Sequence, residues 1–329
     1  MSKFSIILPV HNGGCFFRIC IEGILGQSYS DFELIILDNN STDGTFEWIN
    51  SIADNRIKVY RSEKDLSMTE NWARIVEIKK NEFMTIIGHD DLFHPGYLEK
   101  MNELISKYPD ASLYQAHFNF IDAGGQLLNS SKPMPATMSV QGFLEAEFMQ
   151  RMDSMGTGYM MRSSDYDRMG GIDCSYPNLI FADYQLWTEL AGLNFLAISP
   201  ETCFSYRLHN SVSKTTDAEN YRIAFEKYLG FLSSYAQNRP AVKKAIKANG
   251  NAFLNYFCES LSHRLLKSPK TASRIPVHTF IENCKKNALL LEISNFRPYR
   301  KFPILLAAIL DSNFIFRKIF MLVKRKGMA

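Results

Sequence analysis

The sequence lacks most of the features that mark specialised classes of protein. Its six cysteines show no C-x-x-C spacing, so neither a zinc site nor a disulfide framework is indicated, and reduced thiols in a cytoplasm are expected. The formal net charge is only +3, which gives no reason to expect a nucleic-acid partner. No uninterrupted apolar run reaches the ~20 residues of a membrane-spanning helix, and no export signal is visible after Met1. These absences favour a globular protein of the cytoplasm.

The sequence does contain enough apolar material for a large core. Hydrophobic residues make up 46% of the 329 positions and charged residues 22%, which are ordinary values for a folded soluble protein. A chain of this length predicts about two domains, or one large domain with an appendage.

Strand and helix patterns alternate from the amino terminus to residue 95. Apolar runs predict strands at 4–10, 32–37, 57–60 and 83–87. Apolar residues spaced i, i+3, i+4 and i+7 from Phe17 predict the first helix. This alternation is typical of a parallel β-sheet covered by helices on both faces.

Polar residues follow three of the predicted strands. The first strand ends at Pro9-Val10-His11-Asn12, the second at Asp38-Asn39 and the fourth at Asp90-Asp91. Open α/β sheets bind ligands at the carboxyl ends of their strands, so these clusters would lie side by side. Mg²⁺ and Mn²⁺ prefer carboxylate oxygens and bridge them to phosphates, so the acidic pair predicts a metal with a nucleotide diphosphate. The alternative is that Asp91 caps the helix predicted at 95–107.

Further blocks of sequence occur in a characteristic order. They read ILPVHN at 7–12, QSYSDFE at 27–33, LDNNSTDGT at 37–45, DD at 90–91, MGTGY at 155–159, ADYQLW at 182–187 and YRLHNSVS at 206–213. Together they resemble family 2 glycosyltransferases with the GT-A fold. The resemblance covers residues 3–215 and implies an α/β GT-A domain at 1–218, followed by a helical region at 219–329.

The resemblance implies roles for the acidic pair. Asp91 would ligate Mg²⁺ or Mn²⁺, and Asp90 would lie beside it toward the ribose or the donor sugar. Many relatives carry a further Asp where this chain has Gly88, so His209 or diphosphate oxygens would complete the metal shell. The alternative role for His209 is that of a hydrogen-bonding residue in its loop.

A nucleotide pocket is the second site that the resemblance implies. Five residues at the first two strand ends would line it: Pro9, Val10, Asn12, Asp38 and Asn39. Relatives often carry Asp in place of Asn39, where a carboxylate accepts a hydrogen bond from the uracil ring; an Asn carbonyl can accept the same bond, but its amide can also donate. Arg207 would contact phosphate through its planar guanidinium, or else form a surface ion pair.

Asp183 is the expected general base. It lies at the predicted start of a helix near Trp187, where partial burial would raise its pKa toward the value that a base requires. The family block usually reads Glu-Asp, and Ala182 replaces the Glu here. Capping of the helix is the alternative role. A base-activated hydroxyl that attacks from the opposite face would invert the anomeric centre.

The carboxyl-terminal region reads as helices with a basic end. Helices are predicted at 221–235, 241–266, 276–291 and 303–323. Eight basic residues follow Phe296, against the single acid Asp311. A basic amphipathic segment is attracted to anionic lipid, so peripheral attachment to the inner face of the cell membrane is expected. The alternative is an ordinary helix packed on the protein with a solvated basic tail.

The combined prediction is a metal-dependent, inverting glycosyltransferase. It would move a sugar from a nucleotide-diphosphate donor, expected to be UDP-linked, to a hydroxyl of a saccharide or lipid-linked saccharide in cell-surface polysaccharide synthesis. The alternative is an inactive glycosyltransferase-like scaffold or partner, suggested by Gly88 and Ala182. A sugar-phosphate nucleotidyltransferase is disfavoured, because residues 9–14 do not resemble the glycine-rich, arginine-containing loop of that class.

Overall fold

A computed structural model describes residues 2–209, 216–269 and 274–326 of the chain. The chain divides into two compact units. The first comprises Met1–Phe143, Arg151–Ser175 and Ala182–Ser211. The second comprises Leu144–Gln150, Tyr176–Phe181 and Val212–Ala329, so it takes two short segments from the middle of the chain.

The first unit is built on one mixed sheet, which has ten strands in the described residues. The strands are β1 (Phe4–Val10), β2 (Phe32–Asp38), β3 (Ile57–Val59), β4 (Phe83–Ile86), β5 (Leu92–Phe93), β6 (Leu113–Ile121), β7 (Leu127–Ser130), β8 (Thr137–Met138), β9 (Met160–Arg162) and β10 (Leu196–Arg207). Their order is β3-β2-β1-β4-β9-β6-β10-β5, with β7 paired to β6 and β8 to β10. A mixed sheet flanked by helices is the GT-A arrangement that the sequence predicts.

Helices connect and follow these strands. They are α1 (Gly14–Leu25), α2 (Thr45–Asn50), α3 (Met68–Ala73), α4 (Tyr97–Lys107), α5 (Val140–Phe148), α6 (Ser163–Arg168), α7 (Ala182–Ala191), α8 (Ala218–Ala236), α9 (Pro240–Lys267), α10 (Val277–Leu290), α11 (Phe302–Ser312) and α12 (Phe314–Lys326). Within the described stretches, no helix is both long and apolar enough to cross a membrane.

Strand directions bring five carboxyl ends to one edge of the sheet. β1 runs parallel to β2 and β4. β9 is antiparallel to both β4 and β6, so β6 runs in the same direction as β4, and β10 is parallel to β6. The residues that follow β1, β2, β4, β6 and β10 therefore meet at this edge, although the chain separates them by more than a hundred positions.

Most of the predicted elements are confirmed, and two departures have clear causes. The four amino-terminal strands form as expected, with β1 and β2 almost entirely buried. The short strand β9 shows no strand pattern in the sequence. Its three residues are held extended by pairing with β4 and β6. The single helix predicted at 303–323 is wrong: Asn313 is extended, and its side-chain oxygen accepts the N–H groups of Ile315 and Phe316, so α12 starts anew.

The helices of the second unit pack around aromatic rings. Phe181 stacks on Tyr228 at 5.6 Å between ring centroids and meets Phe257 edge-on at 5.0 Å. Phe225 of α8 stacks on Phe257 of α9 at 5.1 Å, which joins the two helices through an apolar cluster. Aromatic pairs of this kind add to the stabilisation from burial, which gives the helices that follow β10 a core of their own.

Candidate active site

The polar ends of β1, β2 and β4 lie together, as the sequence predicts. Val10 is paired with Asp38, and the N–H of Asn39 donates to the carbonyl of Val10 at 2.9 Å. On the other side of β1, the N–H of Ile87 donates to the carbonyl of Ile7 at 3.0 Å. These backbone bonds place the segment after β4, which carries both aspartates, beside the loop that follows β1.

Asp91 is buried, and each of its carboxylate oxygens accepts a hydrogen bond from the protein. The residue is only 2% exposed to solvent. Oδ1 accepts the backbone N–H of Arg207 at 3.0 Å, and Oδ2 accepts the hydroxyl of Thr157 at 2.9 Å. Burial, followed by the adjacent charge of Asp90, raises the pKa of Asp91 well above its usual range. The capping alternative is not observed, because α4 is preceded by Gly96 without a side-chain cap.

Asp90 and His209 are the accessible acidic and basic groups of this cluster. Their side chains are 23% and 24% exposed, and Nε2 of His209 lies 2.5 Å from Oδ2 of Asp90. The ring of Phe16 lies 5.4 Å from the imidazole. The predicted convergence of His209 on the acidic pair is thus observed, but its contact is with Asp90 and not with Asp91. Residues 210–213, the end of the YRLHNSVS block, lie outside the described residues.

Arg207 has contacts that differ from those of a phosphate ligand. Its guanidinium donates through Nε to the carbonyl of Asp90 at 2.8 Å and through Nη1 to the carbonyl of Asp122 at 3.0 Å. The group lies 4.6 Å from the centre of the Phe16 ring, and the residue is 3% exposed. The phosphate role stays a prediction, whereas the observed role is to hold the backbone of the acidic pair in place.

Gly88 explains the missing third carboxylate. A Cβ atom at this position would lie 2.7 Å from Oδ1 of Asp90 and 3.1 Å from Oδ2 of Asp91. The carbonyl of Gly88 also accepts the thiol of buried Cys20 at 3.6 Å. A side chain here would require the Asp90 carboxylate to shift, so glycine leaves room for the position in which that carboxylate is observed.

Asp183 belongs to the same cluster through the loop before β9. The carboxylate lies against Gly156, 3.5 Å from the position that a Cβ atom would take there, and the next residue is the Thr157 that binds Asp91. Trp187 holds this loop by donating its indole N–H to the carbonyl of Met155 at 2.9 Å. Burial raises the pKa of Asp183 from its usual 3.8 to about 6, against a smaller lowering by the N–H of Tyr184. A group with this pKa can accept a proton near neutral pH.

The predicted nucleotide residues lie together at the ends of β1 and β2. Asn12 accepts the N–H of Thr42 on its side-chain oxygen at 2.9 Å. Asn39 binds the backbone of Leu66 twice, donating to its carbonyl at 2.7 Å and accepting its N–H at 2.8 Å. Pro9 and Val10 pair with Leu37 and Asp38 at the end of β2. Recognition of the nucleotide base by Asn39 stays a prediction. The amide oxygen of Asn39 has a second lone pair, which is available to accept a hydrogen bond from the base.

Two residues of the site have no counterpart in the sequence prediction. Arg61 lies with Nε 3.5 Å from Oδ2 of the buried Asp38, and its guanidinium is 4.0 Å from the Phe46 ring. Thr157 bonds Asp91 from a Gly-Thr-Gly segment in which Gly158 has φ +80°. Flanking glycines are a signal for close backbone approach, and they could have drawn attention to Thr157.

The donor set suits a cation that takes most of its ligands from substrate and water. Among the described residues, no group of three or more His, Cys, Asp or Glu side chains could enclose a metal ion. Asp90 and His209 offer one carboxylate and one imidazole, both reachable from solvent. Mg²⁺ binds through one or two carboxylates plus substrate phosphates, so a pair of side chains is compatible with such an ion.

Fold and site together define an α/β protein with a mixed sheet and carboxylates at the carboxyl ends of its strands. The family model described as glycosyl transferase family 2 matches residues 5–166. Residues 5–166 therefore belong to glycosyl transferase family 2, and the predicted resemblance is confirmed.

Individual relatives are distant in sequence. An uncharacterised glycosyltransferase of Rickettsia typhi is 22% identical over 254 residues, which cover 76% of this chain and 77% of the relative. Glycosyltransferase GlyG of Streptococcus pneumoniae is 25% identical over 123 residues, covering 37% of this chain and 41% of that protein.

Solved structures show the same fold at low identity. TarS of S. aureus, determined with UDP-GlcNAc, has a TM-score of 0.60 at 13% identity and covers 88% of this chain and 90% of its own. The mannosyltransferase PcManGT of Pyrobaculum calidifontis, determined with GDP-Man and Mn²⁺, has a TM-score of 0.51 at 13% identity and covers 98% and 87%. These likenesses confirm the GT-A fold.

Replacing Gly88 by alanine is expected to disable the site without unfolding the protein. The added Cβ would displace the Asp90 carboxylate, and a misplacement of ~1 Å can cost about 10²-fold in rate. The measurement is turnover and melting temperature beside Gly96→Ala, a matched control whose Cβ would meet nothing within 4 Å. Equal turnover of the two variants would show that the position of Asp90 does not matter for activity.

Proposed function

We propose that the protein moves a glycosyl group from a nucleotide-diphosphate sugar to a hydroxyl, with inversion, using Mg²⁺ or Mn²⁺. One observation carries the proposal. The accessible Asp90 and His209 lie at the sheet edge in the same cluster as Asp183, a carboxylate whose pKa is raised to about 6. The cluster therefore offers a place for a diphosphate-bound cation and a base for the acceptor hydroxyl, the two charged elements that glycosyl transfer requires.

Asp90 and His209 are the residues that would hold the metal. The proposed role moves from Asp91 to Asp90 because Asp91 is buried, with each oxygen already bonded to Arg207 or Thr157, whereas the Asp90 side chain is reachable from solvent. When bound, the cation supplies charge neutralisation on the departing diphosphate. The Pyrobaculum mannosyltransferase, determined with GDP-Man and Mn²⁺, supports divalent-metal use. Asp91 then serves as the support that fixes the backbone of its neighbour.

The donor is expected to be UDP-linked. The pocket formed by Pro9, Val10, Asn12, Asp38 and Asn39 would hold the base and ribose, with Asn39 accepting from the uracil ring on its remaining lone pair. TarS was determined with UDP-GlcNAc, which supports a uridine donor in this fold. Arg61, half-exposed beside Asp38, adds a positive charge at the rim of this pocket.

Asp183 is the proposed base. It would take the proton of the acceptor hydroxyl as that oxygen attacks the anomeric carbon and the nucleoside diphosphate departs. A single displacement from the opposite face inverts the anomeric centre, so an α-linked donor would give a β-linked product.

The proposed setting is cell-surface polysaccharide synthesis at the inner face of the cell membrane. The acceptor would be a saccharide or a lipid-linked saccharide, and an anionic membrane surface the second partner. Support comes from the exposed basic residues Arg297, Arg300, Lys301 and Lys318 near the end of the chain. Attraction of such residues to anionic lipid is worth about 1 kcal/mol each near the surface.

The inactive-scaffold alternative loses its main motive in the structure. Its argument rests on two absent carboxylates, at Gly88 and Ala182. A side chain at Gly88 would collide with Asp90, and Ala182 is fully buried, where a glutamate would require its own partners. The remaining groups, Asp90, His209 and Asp183, are all present and grouped.

The function is tested by a screen of the purified protein against nucleotide sugars with Mn²⁺. We expect release of UDP from one UDP-sugar, with slower or no release from GDP-linked sugars, because Asn39 is proposed to accept from the uracil ring N–H. Thymine presents the same ring N–H, so this contact alone does not separate dTDP-linked sugars from UDP-linked ones. The measurement is the nucleoside diphosphate formed, with a metal-chelated sample as control. A folded protein that releases no nucleoside diphosphate from any donor, with saccharide acceptors present, would support the scaffold alternative.

Asp183→Asn is expected to separate chemistry from structure. Turnover should fall about 10²- to 10⁴-fold while donor affinity stays unchanged, because a positioned base acts only in the transition state. In the wild type, the rate should decline as pH falls through about 6, where Asp183 becomes protonated. The measurement is the pH dependence of turnover together with donor affinity by calorimetry.

Melting temperature provides the control for this variant. A carboxyl whose pKa rises on folding lowers the stability as pH increases from about 4 to 6, since the native state disfavours its charge. Neutral Asn lacks this cost, so the variant should melt no lower than the wild type at pH 7, and the difference should shrink near pH 4. Retained turnover, or a large drop in melting temperature with it, would indicate a structural role.

A further inference from the structure

The last two helices of the described chain expose large apolar side chains. On α11, Phe302, Leu305 and Ile309 are exposed on a helix whose Ile304 and Ala307 are buried. At the start of α12, Phe314 is 69% exposed, Ile315 64% and Phe316 50%. Scattered exposed apolar residues are ordinary, but six within fifteen positions form a concentration that usually marks an interaction surface.

The three exposed residues at 314–316 form a corner and not a stripe along a helix. Successive residues of a helix point about 100° apart, so three in a row cannot share one face. All three are exposed because Asn313 breaks the helix and starts α12 by accepting the N–H groups of Ile315 and Phe316 at 2.9 and 3.1 Å. The apolar side chains therefore project from a capped helix end, which we call the 314–316 corner.

The exposed charged residues between 297 and 318 have one sign. Arg297, Arg300, Lys301 and Lys318 are exposed in the same part of the chain. The one acid after residue 292 is Asp311, and it is buried. Its carboxylate is neutralised internally: Oδ1 pairs with Arg274 at 2.6 Å and Oδ2 accepts the N–H of Val277 at 2.9 Å. Among the described residues after 292, the exposed side chains are therefore apolar, neutral polar or basic, and none is a carboxylate.

We infer that the 314–316 corner docks on the anionic leaflet of a membrane. Phe314, Ile315 and Phe316 enter the boundary between headgroups and acyl chains, while Arg300, Lys301 and Lys318 contact the lipid phosphates. A corner inserts few residues deeply, whereas the flat amphipathic helix that the sequence predicts would spread its contacts along its whole length. The inference rests on the proposed function only in that docking would bring the enzyme to a lipid-linked acceptor.

Charge decides between a membrane and a second copy of the chain. A symmetric dimer across this surface would bring each basic residue toward basic residues of its partner, which is unfavourable. An anionic leaflet offers both the complementary charge and an apolar layer for the aromatic rings. No helix in the described residues could span the bilayer, so the contact proposed is with one leaflet.

The test is vesicle binding by the full-length protein. Vesicles of phosphatidylcholine with one quarter phosphatidylglycerol are compared with vesicles of phosphatidylcholine alone, by co-sedimentation at low and high salt. We expect binding to the anionic vesicles, weakened by salt, and a loss of at least about tenfold in partitioning for the variant Phe314→Ser, Ile315→Ser, Phe316→Ser. The matched control is Leu127→Ser, Leu128→Ser, an exposed apolar pair on β7 of the first unit.

The outcomes separate this inference from the proposed function. Equal binding by the triple variant and the control, or dimers in light scattering that only the triple variant loses, would overturn membrane docking at this corner. Release of nucleoside diphosphate by the triple variant should equal that of the wild type, because the substitutions leave every residue of the candidate active site unchanged. If the wild type binds anionic vesicles but transfers no sugar, the proposed enzymatic function is rejected and the docking inference still holds. Should the triple variant melt early, Phe314→Ser alone gives the same comparison.

Discussion

The buried carboxylate of Asp91 is the contact on which the candidate active site depends. It joins three distant segments, because it follows β4 and accepts hydrogen bonds from Arg207 at the end of β10 and from Thr157 before β9. Leaving a buried donor or acceptor unsatisfied costs about 1–3 kcal/mol, so these bonds strongly favour one arrangement of the segments. The same arrangement turns Asp90 outward beside His209 and brings Gly156, with Asp183 against it, to the same place.

The carboxylates of Asp90, Asp91 and Asp183 differ in burial and in hydrogen bonding. Asp91 is enclosed and accepts one hydrogen bond on each carboxylate oxygen, so it links the segments that carry Arg207 and Thr157. Asp90 is reachable from solvent. Its backbone is held in place because its carbonyl oxygen accepts the Nε–H of Arg207 at 2.8 Å. Asp183 is desolvated enough for its pKa to rise to about 6, yet it remains half-exposed, a combination suited to a base. These differences in burial and hydrogen bonding are the basis for proposing three separate roles, namely support for Asp91, cation ligand for Asp90 and base for Asp183.

The sequence is sufficient to predict which residues lie at the edge of the sheet, but not which of them are buried and which face solvent. Apolar runs and the polar residues that follow them locate the ends of β1, β2 and β4, because those signals are local. Which of Asp90 and Asp91 faces solvent depends on Thr157 and Arg207, whose contacts span 66 and 116 positions and leave no local trace. Arg207 likewise appears in sequence as a phosphate ligand, and only its carbonyl partners show that it holds the backbone. The break at Asn313 was missed because Asn is tolerated inside helices and becomes a cap only when its side chain turns to the following N–H groups.

The most direct test of this account is Mn²⁺ affinity in the presence of UDP, measured by electron paramagnetic resonance for Asp90→Ala and Asp91→Ala together with their melting temperatures. The account predicts that Asp90→Ala weakens Mn²⁺ binding at least about tenfold with an unchanged melting temperature, since it removes a ligand from an accessible position. Asp91→Ala should lower the melting temperature, because the N–H of Arg207 and the hydroxyl of Thr157 lose their acceptor. Normal Mn²⁺ binding by Asp90→Ala, with loss of binding and no loss of stability in Asp91→Ala, would contradict it.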